Sequence, residues 1–148
     1  MNSEIKLDKF DQIGIVVNNI EKSAELYRML FSFKGKINIV EQDANVVYNG
    51  EEVTFTMKKI MQFFAGKQFE IVEMVKASGP NLYSEFIKEG NTGLHHLGIY
   101  VKEAAPYIKK FEDNFGVRII QTGVAGKVNF TYLDTKSLLG YYIELIEF

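Results

Sequence analysis

An internal repeat restricts the fold of this sequence more than any other feature. The segment FDQIGIVV at residues 10–17 aligns with LHHLGIYV at residues 94–101, at an offset of 96 − 12 = 84 residues. A second pair, FEIVEM at 69–74 and IELIEF at 143–148, aligns at an offset of 144 − 70 = 74 residues. A chain that repeats both segments in this order is expected to contain two similar modules that share a core.

Each half of the chain has the same order of predicted elements. A strand rich in Ile and Val precedes a helix, with Asn18 or Asn19 as the expected N-cap in the first half and Pro106 in the first turn in the second. Gly35 and Gly116 are expected to end these helices. Three strand-like segments follow in each half: KINIVEQ, EEVTFTMKK and KQFEIVEMV, then VRIIQTG, VNFTYLD and YYIELIEF.

This order predicts an α+β fold in a single domain over residues 1–148. Its two β-α-β-β-β modules are expected at about residues 8–76 and 92–148, joined by a linker with a short helix at residues 77–91. With 148 residues, of which 47% are hydrophobic, the chain is long enough to bury one shared core.

Composition excludes several classes of function. The net charge is −2 and basic residues form no stripe, so we expect neither nucleic acid nor a membrane surface as partner. The chain has no cysteine, which excludes disulfides and thiolate metal sites. The N-terminal segment lacks the apolar core of a secretory signal, and no apolar run approaches the roughly 20 residues of a membrane span. We therefore expect a cytoplasmic protein.

Polar residues occupy matched positions in the two repeated first strands. Because side chains alternate across a strand, Gln12 in the first repeat is equivalent to His96 in the second. Each is followed two residues later by a glycine, Gly14 or Gly98, which leaves space on the same face. The same alternation assigns His95 to the opposite face of its strand.

The last strands of the two halves repeat the pattern Glu-apolar-apolar-Glu. Glu70 and Glu144 are equivalent, and alternation assigns Glu73 and Glu147 to the opposite faces. A carboxylate within an apolar strand is costly unless it is paired or bound to a cation. The alternative interpretation is that each pattern contributes one exposed and one edge carboxylate.

If the modules are arranged alike, two polar residues from each half converge. The expected quartet consists of Gln12, Glu70, His96 and Glu144. One imidazole, two carboxylates and an amide oxygen suit a divalent metal such as Zn, Ni, Co or Mn, with water completing the coordination shell. Taken singly, a glutamine such as Gln12 is typical of an edge residue. A His-His pair such as His95-His96 is typical of a turn.

The segments FDQIGIVV, GLHHLGIYV and GYYIELIEF resemble those of the vicinal oxygen chelate superfamily, over about residues 8–148. This group contains glyoxalase I, methylmalonyl-CoA epimerase, extradiol dioxygenases and antibiotic-resistance proteins. The resemblance implies a cupped mixed sheet around a central metal, with one ligand on the first and last strand of each module. It also implies a homodimer. The matching ligand positions are Gln12, Glu70, His96 and Glu144.

Three departures bear on the subfamily. Glyoxalase I usually has arginine four residues after the first ligand and asparagine four after the second, where this chain has Val16 and Met74. Many superfamily members have histidine at the position of Gln12, and glutamine there can shift the metal preference. The segment GLHHLGIYV and the connector GPNLYSEFIKEG are more similar to methylmalonyl-CoA epimerase. Glu51 and Glu52 lie near the expected strand of a further catalytic carboxylate, but they are typical of an exposed hairpin pair.

The resemblance implies a metal-dependent lyase or isomerase of glyoxalase or epimerase type, which abstracts a proton next to a metal-bound carbonyl or thioester of a small substrate. Glu144 is the first candidate for ligand and base, and Glu70 the second. Candidate pocket residues are Tyr48, Tyr100, Tyr132, Phe63 and Phe64.

The alternatives to this activity are a non-catalytic small-molecule-binding protein of the same fold and an extradiol dioxygenase. The latter prefers two histidines and one carboxylate, whereas one aligned histidine is present.

Overall fold

The computed structural model describes residues 5–148, which form eight strands and four helices. The first half contains β1 (Gln12–Val16), α1 (Ile20–Leu30), β2 (Val40–Tyr48), β3 (Glu51–Phe64) and β4 (Lys67–Ala77). A short helix, α2 (Leu82–Lys88), follows. The second half contains β5 (Gly93–Val101), α3 (Ala105–Phe115), β6 (Ile119–Ala125), β7 (Val128–Leu133), α4 (Lys136–Leu139) and β8 (Tyr142–Glu147).

The eight strands form one strongly curved mixed sheet that closes on itself, in the order β1-β4-β3-β2-β6-β7-β8-β5. The first and last strands of each module pair in parallel, β1 with β4 and β5 with β8. Antiparallel pairing of β1 with β5 and of β2 with β6 joins the two modules. The predicted α+β fold of two β-α-β-β-β modules is confirmed, and the repeated segments occupy equivalent positions in the sheet.

Hydrophobic residues form three clusters, one inside the closed sheet and one beneath each long helix. The helix α1 packs on the sheet through Ile20 and Ala24. The helix α3 packs through half-buried residues such as Phe111. Leu82 and Phe86 of α2 belong to the inner cluster, so this helix closes part of the interior.

The outer carboxylates of the repeated Glu-apolar-apolar-Glu pattern bind the starts of the two long helices. Glu73 Oε1 accepts a hydrogen bond from the backbone N–H of Ile20 at 2.9 Å. In the second module Glu147 Oε2 accepts one from Ala104 at 2.8 Å. A carboxylate at a helix N-terminus satisfies a free N–H and opposes the positive end of the helix dipole. In each Glu-apolar-apolar-Glu segment the second carboxylate thus binds a helix on the outer face of the sheet. The first carboxylate, Glu70 or Glu144, points to the interior.

The predicted helix boundaries are right at three of four ends. Asn19 is the N-cap of α1 and accepts from the backbone N–H of Lys22. Pro106 lies in the first turn of α3, and Gly116 ends that helix in the left-handed conformation, at φ 64°. Gly35, in contrast, does not end α1, which stops at Leu30.

Aromatic packing explains the early end of α1. Phe31 is extended, and its ring lies 5.2 Å from Tyr27 and 5.3 Å from Phe64, measured between ring centroids. Phe33 stacks on the same group, at 5.9 Å from Tyr27. Residues 31–33 pack on this aromatic cluster instead of continuing the helix. The strand β2 then begins at Val40, and not at residue 36 as the segment KINIVEQ predicts.

The helices of the described part are short. The two longest, α1 and α3, have 11 residues each, and within residues 5–148 no helix has the length and apolar character that crossing a membrane requires.

Candidate functional site

Four polar side chains meet inside the closed sheet, and they are the four that the repeat predicts. His96 Nε2 lies 3.0 Å from Gln12 Oε1, 3.4 Å from Glu70 Oε1 and 3.5 Å from Glu144 Oε1. All four residues are at most 8% exposed. One chain supplies the whole group, with two residues from each module.

Two glycines create the space in which these side chains meet. A Cβ atom at Gly14 would overlap the imidazole ring of His96. A Cβ at Gly98 would lie 2.9 Å from Cβ and 3.0 Å from Oε1 of Gln12. Each module's glycine therefore makes room for the polar side chain of the other module, because β1 and β5 run side by side.

A β-bulge in β5 contradicts the predicted orientation of His95. Opposite His96 and Leu94 on β5 stand Gly14 and Ile15 on β1, so His95 is an extra residue with no partner across the ladder. The bulge interrupts the alternation of faces, and the His95 ring is buried inside the sheet. Its Nδ1 lies 2.8 Å from Nδ1 of His96.

The two inward carboxylates have different surroundings. Glu70 Oε1 accepts a hydrogen bond from the Tyr83 hydroxyl at 3.4 Å, and its Oε2 lies 4.0 Å from Lys59 Nζ. Glu144 Oε1 is buried and has no hydrogen-bond partner among residues 5–148. The hydroxyls of Tyr83 and Tyr132 are 3.3 Å apart, so the Tyr83 hydroxyl contacts both Tyr132 and Glu70.

A cavity of about 230 Å³ lies beside this group. Its lining includes Gln12, Glu70 and Glu144, together with the predicted pocket residues Tyr100 and Tyr132. Five further polar residues of the lining are not marked by the strand pattern: Gln42, Lys59, Gln68, Tyr83 and Gln121. Amides and phenols thus dominate its polar wall.

Other predicted residues lie elsewhere. Tyr48, Phe63 and Phe64 are absent from the cavity wall, and Phe63 is 65% exposed. Glu51 and Glu52 are exposed at the start of β3, directly after the turn, as expected for a hairpin pair.

Comparison with known proteins identifies the family. The sequence profile of the Glyoxalase/Bleomycin resistance protein/Dioxygenase superfamily matches residues 11–132. The chain belongs to this superfamily. The resemblance to the vicinal oxygen chelate group is thereby confirmed. No curated protein sequence matches the chain significantly.

Solved structures share the superfamily fold over nearly the whole chain. A hypothetical protein from Bacillus halodurans C-125 is 23% identical, with 97% of this chain and 96% of that chain covered and a TM-score of 0.65. Methylmalonyl-CoA epimerase from Mycobacterium tuberculosis is 15% identical, with 97% and 93% covered and a TM-score of 0.63. A variant of the Streptomyces coelicolor epimerase in complex with 2-nitronate-propionyl-CoA is 20% identical, with 96% and 95% covered and a TM-score of 0.57.

Superfamily members typically use divalent metals, and three donor-atom distances in this chain match the spacing that a shared cation requires. Atoms about 2.1 Å from a shared cation lie about 3.0 to 3.4 Å apart in octahedral or tetrahedral geometry. The 3.0 to 3.5 Å between His96 Nε2 and the three oxygens match this spacing. Among residues 5–148, however, no three His, Asp or Glu side chains stand in coordinating geometry as they are. Instead, His96 Nε2 lies within hydrogen-bonding distance of Gln12.

Burial and the charges of their neighbours shift the pKa values of Glu144, Glu70 and His96 by different amounts or in different directions. Burial raises the pKa of Glu144 to about 7; the charge of Glu70 adds to this rise, while His96 and Tyr132 oppose it. Burial also disfavours the charged forms of Glu70 and His96, but His96 outweighs it for Glu70, and Glu144 together with Glu70 outweighs it for His96. The pKa of Glu70 is therefore lowered and that of His96 raised. Two neighbouring carboxylates with separated pKa values are suited to different roles.

We expect the metal-free protein to lose stability as the pH rises from about 5 to about 7. The Glu144 carboxyl titrates at 4.5 when unperturbed and at about 7 in the folded chain, so the folded state binds more protons in this window. The free energy of unfolding then falls by up to about 1.4 kcal/mol for each pH unit. His96 acts in the same direction, because the stability from its raised pKa is lost as pH rises through that pKa.

Urea unfolding of chelator-treated protein between pH 5 and pH 8 measures this dependence. The lowered pKa of Glu70 acts below 4.5, outside the window. Glu144→Gln should flatten the pH profile. Greater stability at pH 8 than at pH 5 in the parent protein would contradict the assignment.

Proposed function

We propose that this superfamily member is a metal-dependent isomerase or lyase that moves a proton next to the carbonyl or thioester group of a small substrate. The observation that carries the proposal is the convergence of three oxygens from three strands on His96 Nε2, within 3.5 Å, in a buried site that opens on a cavity. Such a group is costly to bury unless it binds a cation or substrate.

Under this proposal the cation is held by Gln12, Glu70, His96 and Glu144. A divalent cation bound there supplies Lewis acidity, which polarises a carbonyl and stabilises negative charge beside it. All four donors are buried, so the protein shields the site from bulk water on every side except the cavity. The predicted homodimer and cytoplasmic location stay predictions, and the proposed chemistry needs only one chain.

Glu144 is the proposed general base. Its carboxyl lines the cavity, so a substrate C–H can be brought against the oxygen that does not face the cation. Burial raises the pKa of Glu144 to about 7 in the metal-free chain, and a bound cation opposes this rise, so the carboxylate is ionised and able to take a proton at neutral pH.

Lys59 supports a substrate that carries an acidic group. Its ammonium group lines the cavity, and its side chain is 20% exposed. A divalent cation would balance the charges of Glu70 and Glu144, which leaves the charge of Lys59 free to attract an anion. The cavity of about 230 Å³ suits a small acid or the acyl part of a thioester.

Metal analysis followed by solvent exchange tests the proposal. We expect about one equivalent of a divalent transition metal per chain, and incorporation of deuterium from heavy water into the α-position of a substrate. The panel contains methylmalonyl-CoA, the neutral thioester isobutyryl-CoA and the glutathione adduct of methylglyoxal. The coenzyme A thioesters come first because of the epimerase neighbours.

Chelation should abolish the exchange, and Zn, Ni, Co or Mn should restore it. Faster exchange with methylmalonyl-CoA than with isobutyryl-CoA would agree with the position of Lys59. Protein that holds no stoichiometric metal and exchanges no substrate would contradict the proposal and favour a non-catalytic binding protein of the same fold.

A further inference from the structure

The interior contains a second histidine for which the proposed chemistry gives no role. His95 is fully buried, and three rings surround its imidazole, at centroid distances of 4.9 Å from Tyr83, 4.8 Å from Phe86 and 5.2 Å from Tyr142. The bulge in β5 brings this ring inside, against His96. Burying a polar ring in this way is costly unless its nitrogens are used.

The imidazoles of His95 and His96 share one hydrogen bond. Nδ1 of His95 and Nδ1 of His96 are 2.8 Å apart, which is hydrogen-bond distance, so one nitrogen donates and the other accepts. If His95 donates, His96 must carry its proton on Nε2, where it blocks a cation. If His96 donates, its Nε2 lone pair is free to bind a cation, or Nε2 can take a second proton in its absence.

Binding of a cation at His96 Nε2 requires the second arrangement, because only then is that nitrogen free of a proton while the bond between the rings is kept. With Nδ1 accepting, His95 carries its proton on Nε2, at the far side of the ring. That nitrogen is buried and has no hydrogen-bond partner among residues 5–148. A cation then replaces only the Nε2 proton of His96, and the hydrogen bond between the rings stays unchanged.

We propose that His95 is a positioning residue, which accepts the Nδ1–H of His96 and so keeps Nε2 of His96 directed at the metal. This role rests on the proposed function. Metal-binding histidines generally donate their second N–H to a carboxylate, a backbone carbonyl or water, which fixes the tautomer and the ring orientation. In this chain a second imidazole, held between aromatic rings, serves as the acceptor.

Two variants separate this role from simple core packing. His95→Leu has a side chain of similar volume, but it is apolar and offers no acceptor. His95→Asn is smaller, but its side-chain oxygen can take the place of Nδ1. We expect the leucine variant to bind Zn²⁺ or Ni²⁺ about 10- to 100-fold more weakly in competition with a chelator, and the asparagine variant to recover most of the affinity. Tyr142→Phe, which keeps the ring beside His95, is the matched control and should bind as the parent does.

Imidazole ¹⁵N resonances of the metal-free parent protein give a second readout, which requires no variant to fold. We expect His95 to be neutral with its proton on Nε2, and His96 to carry a proton on Nδ1. A proton on Nδ1 of His95 overturns the role of His95, as does equal metal affinity of the parent and His95→Leu. Parent protein that binds no metal overturns the proposed function, and this role with it.

Discussion

Glu144→Gln is expected to lower turnover by about 10²- to 10⁴-fold at saturating metal. Glutamine keeps the size of the side chain and an oxygen that can face the cation, but its amide cannot take a proton. The parent carboxylate is buried and lines the cavity, and burial raises its pKa to about 7 in the metal-free chain, as expected of a candidate base. The rate of α-proton exchange with the best substrate of the panel measures the effect.

Glu147→Gln is the matched control, because it makes the same change three residues further along the chain. Glu147 accepts from the backbone of Ala104 and lies outside the cavity wall, so its variant should keep the exchange rate and lose only stability. Exchange at the full parental rate in Glu144→Gln, with metal bound, would show that another group is the base. Glu70→Gln is then the variant to examine, since Glu70 is the other inward carboxylate.

Gly14→Ala is expected to abolish metal binding and to destabilise the fold by about 1 to 3 kcal/mol or more. The new methyl group would overlap the His96 ring, so the ring must leave its place or β1 must move. Either movement separates His96 Nε2 from the three oxygens around it. Metal content and urea unfolding measure the two effects.

The cause of this loss can be isolated with a double-mutant cycle. In a His96→Ala background the ring is absent, so Gly14→Ala should cost much less stability than in the parent. Gly35→Ala is the control for a glycine with space, because a Cβ there would be 3.6 Å from the Gln62 side chain. If Gly14→Ala costs as much without His96 as with it, the steric explanation is wrong.

The sequence was sufficient to predict the modules and the four converging side chains, for a physical reason. Alternation along a strand assigns faces, and a repeated strand with a repeated polar residue marks the face that both modules share. Gln12 and His96 were found in this way although neither residue type indicates a buried site by itself. The match of Glu70 with Glu144 follows the same rule.

Features that depend on irregular backbone or on distant strands were not predictable in this way. His95 was assigned to the wrong face because one extra residue in β5 reverses the alternation, and nothing in LHHLGIYV indicates the bulge. Lys59 and Tyr83 reach the cavity from β3 and α2, and only the closed sheet brings these elements together. Helix α4 has four residues, too few for a periodic pattern.

In each module a glycine leaves room for a polar side chain of the other module, and this limits which substitutions the chain can accept. Gly14 belongs to the first module but its missing side chain serves His96 of the second, and Gly98 stands in the same relation to Gln12. A change in one half is therefore acceptable only in relation to the residue present in the other. Although the halves repeat each other, neither can change at these positions independently of the other.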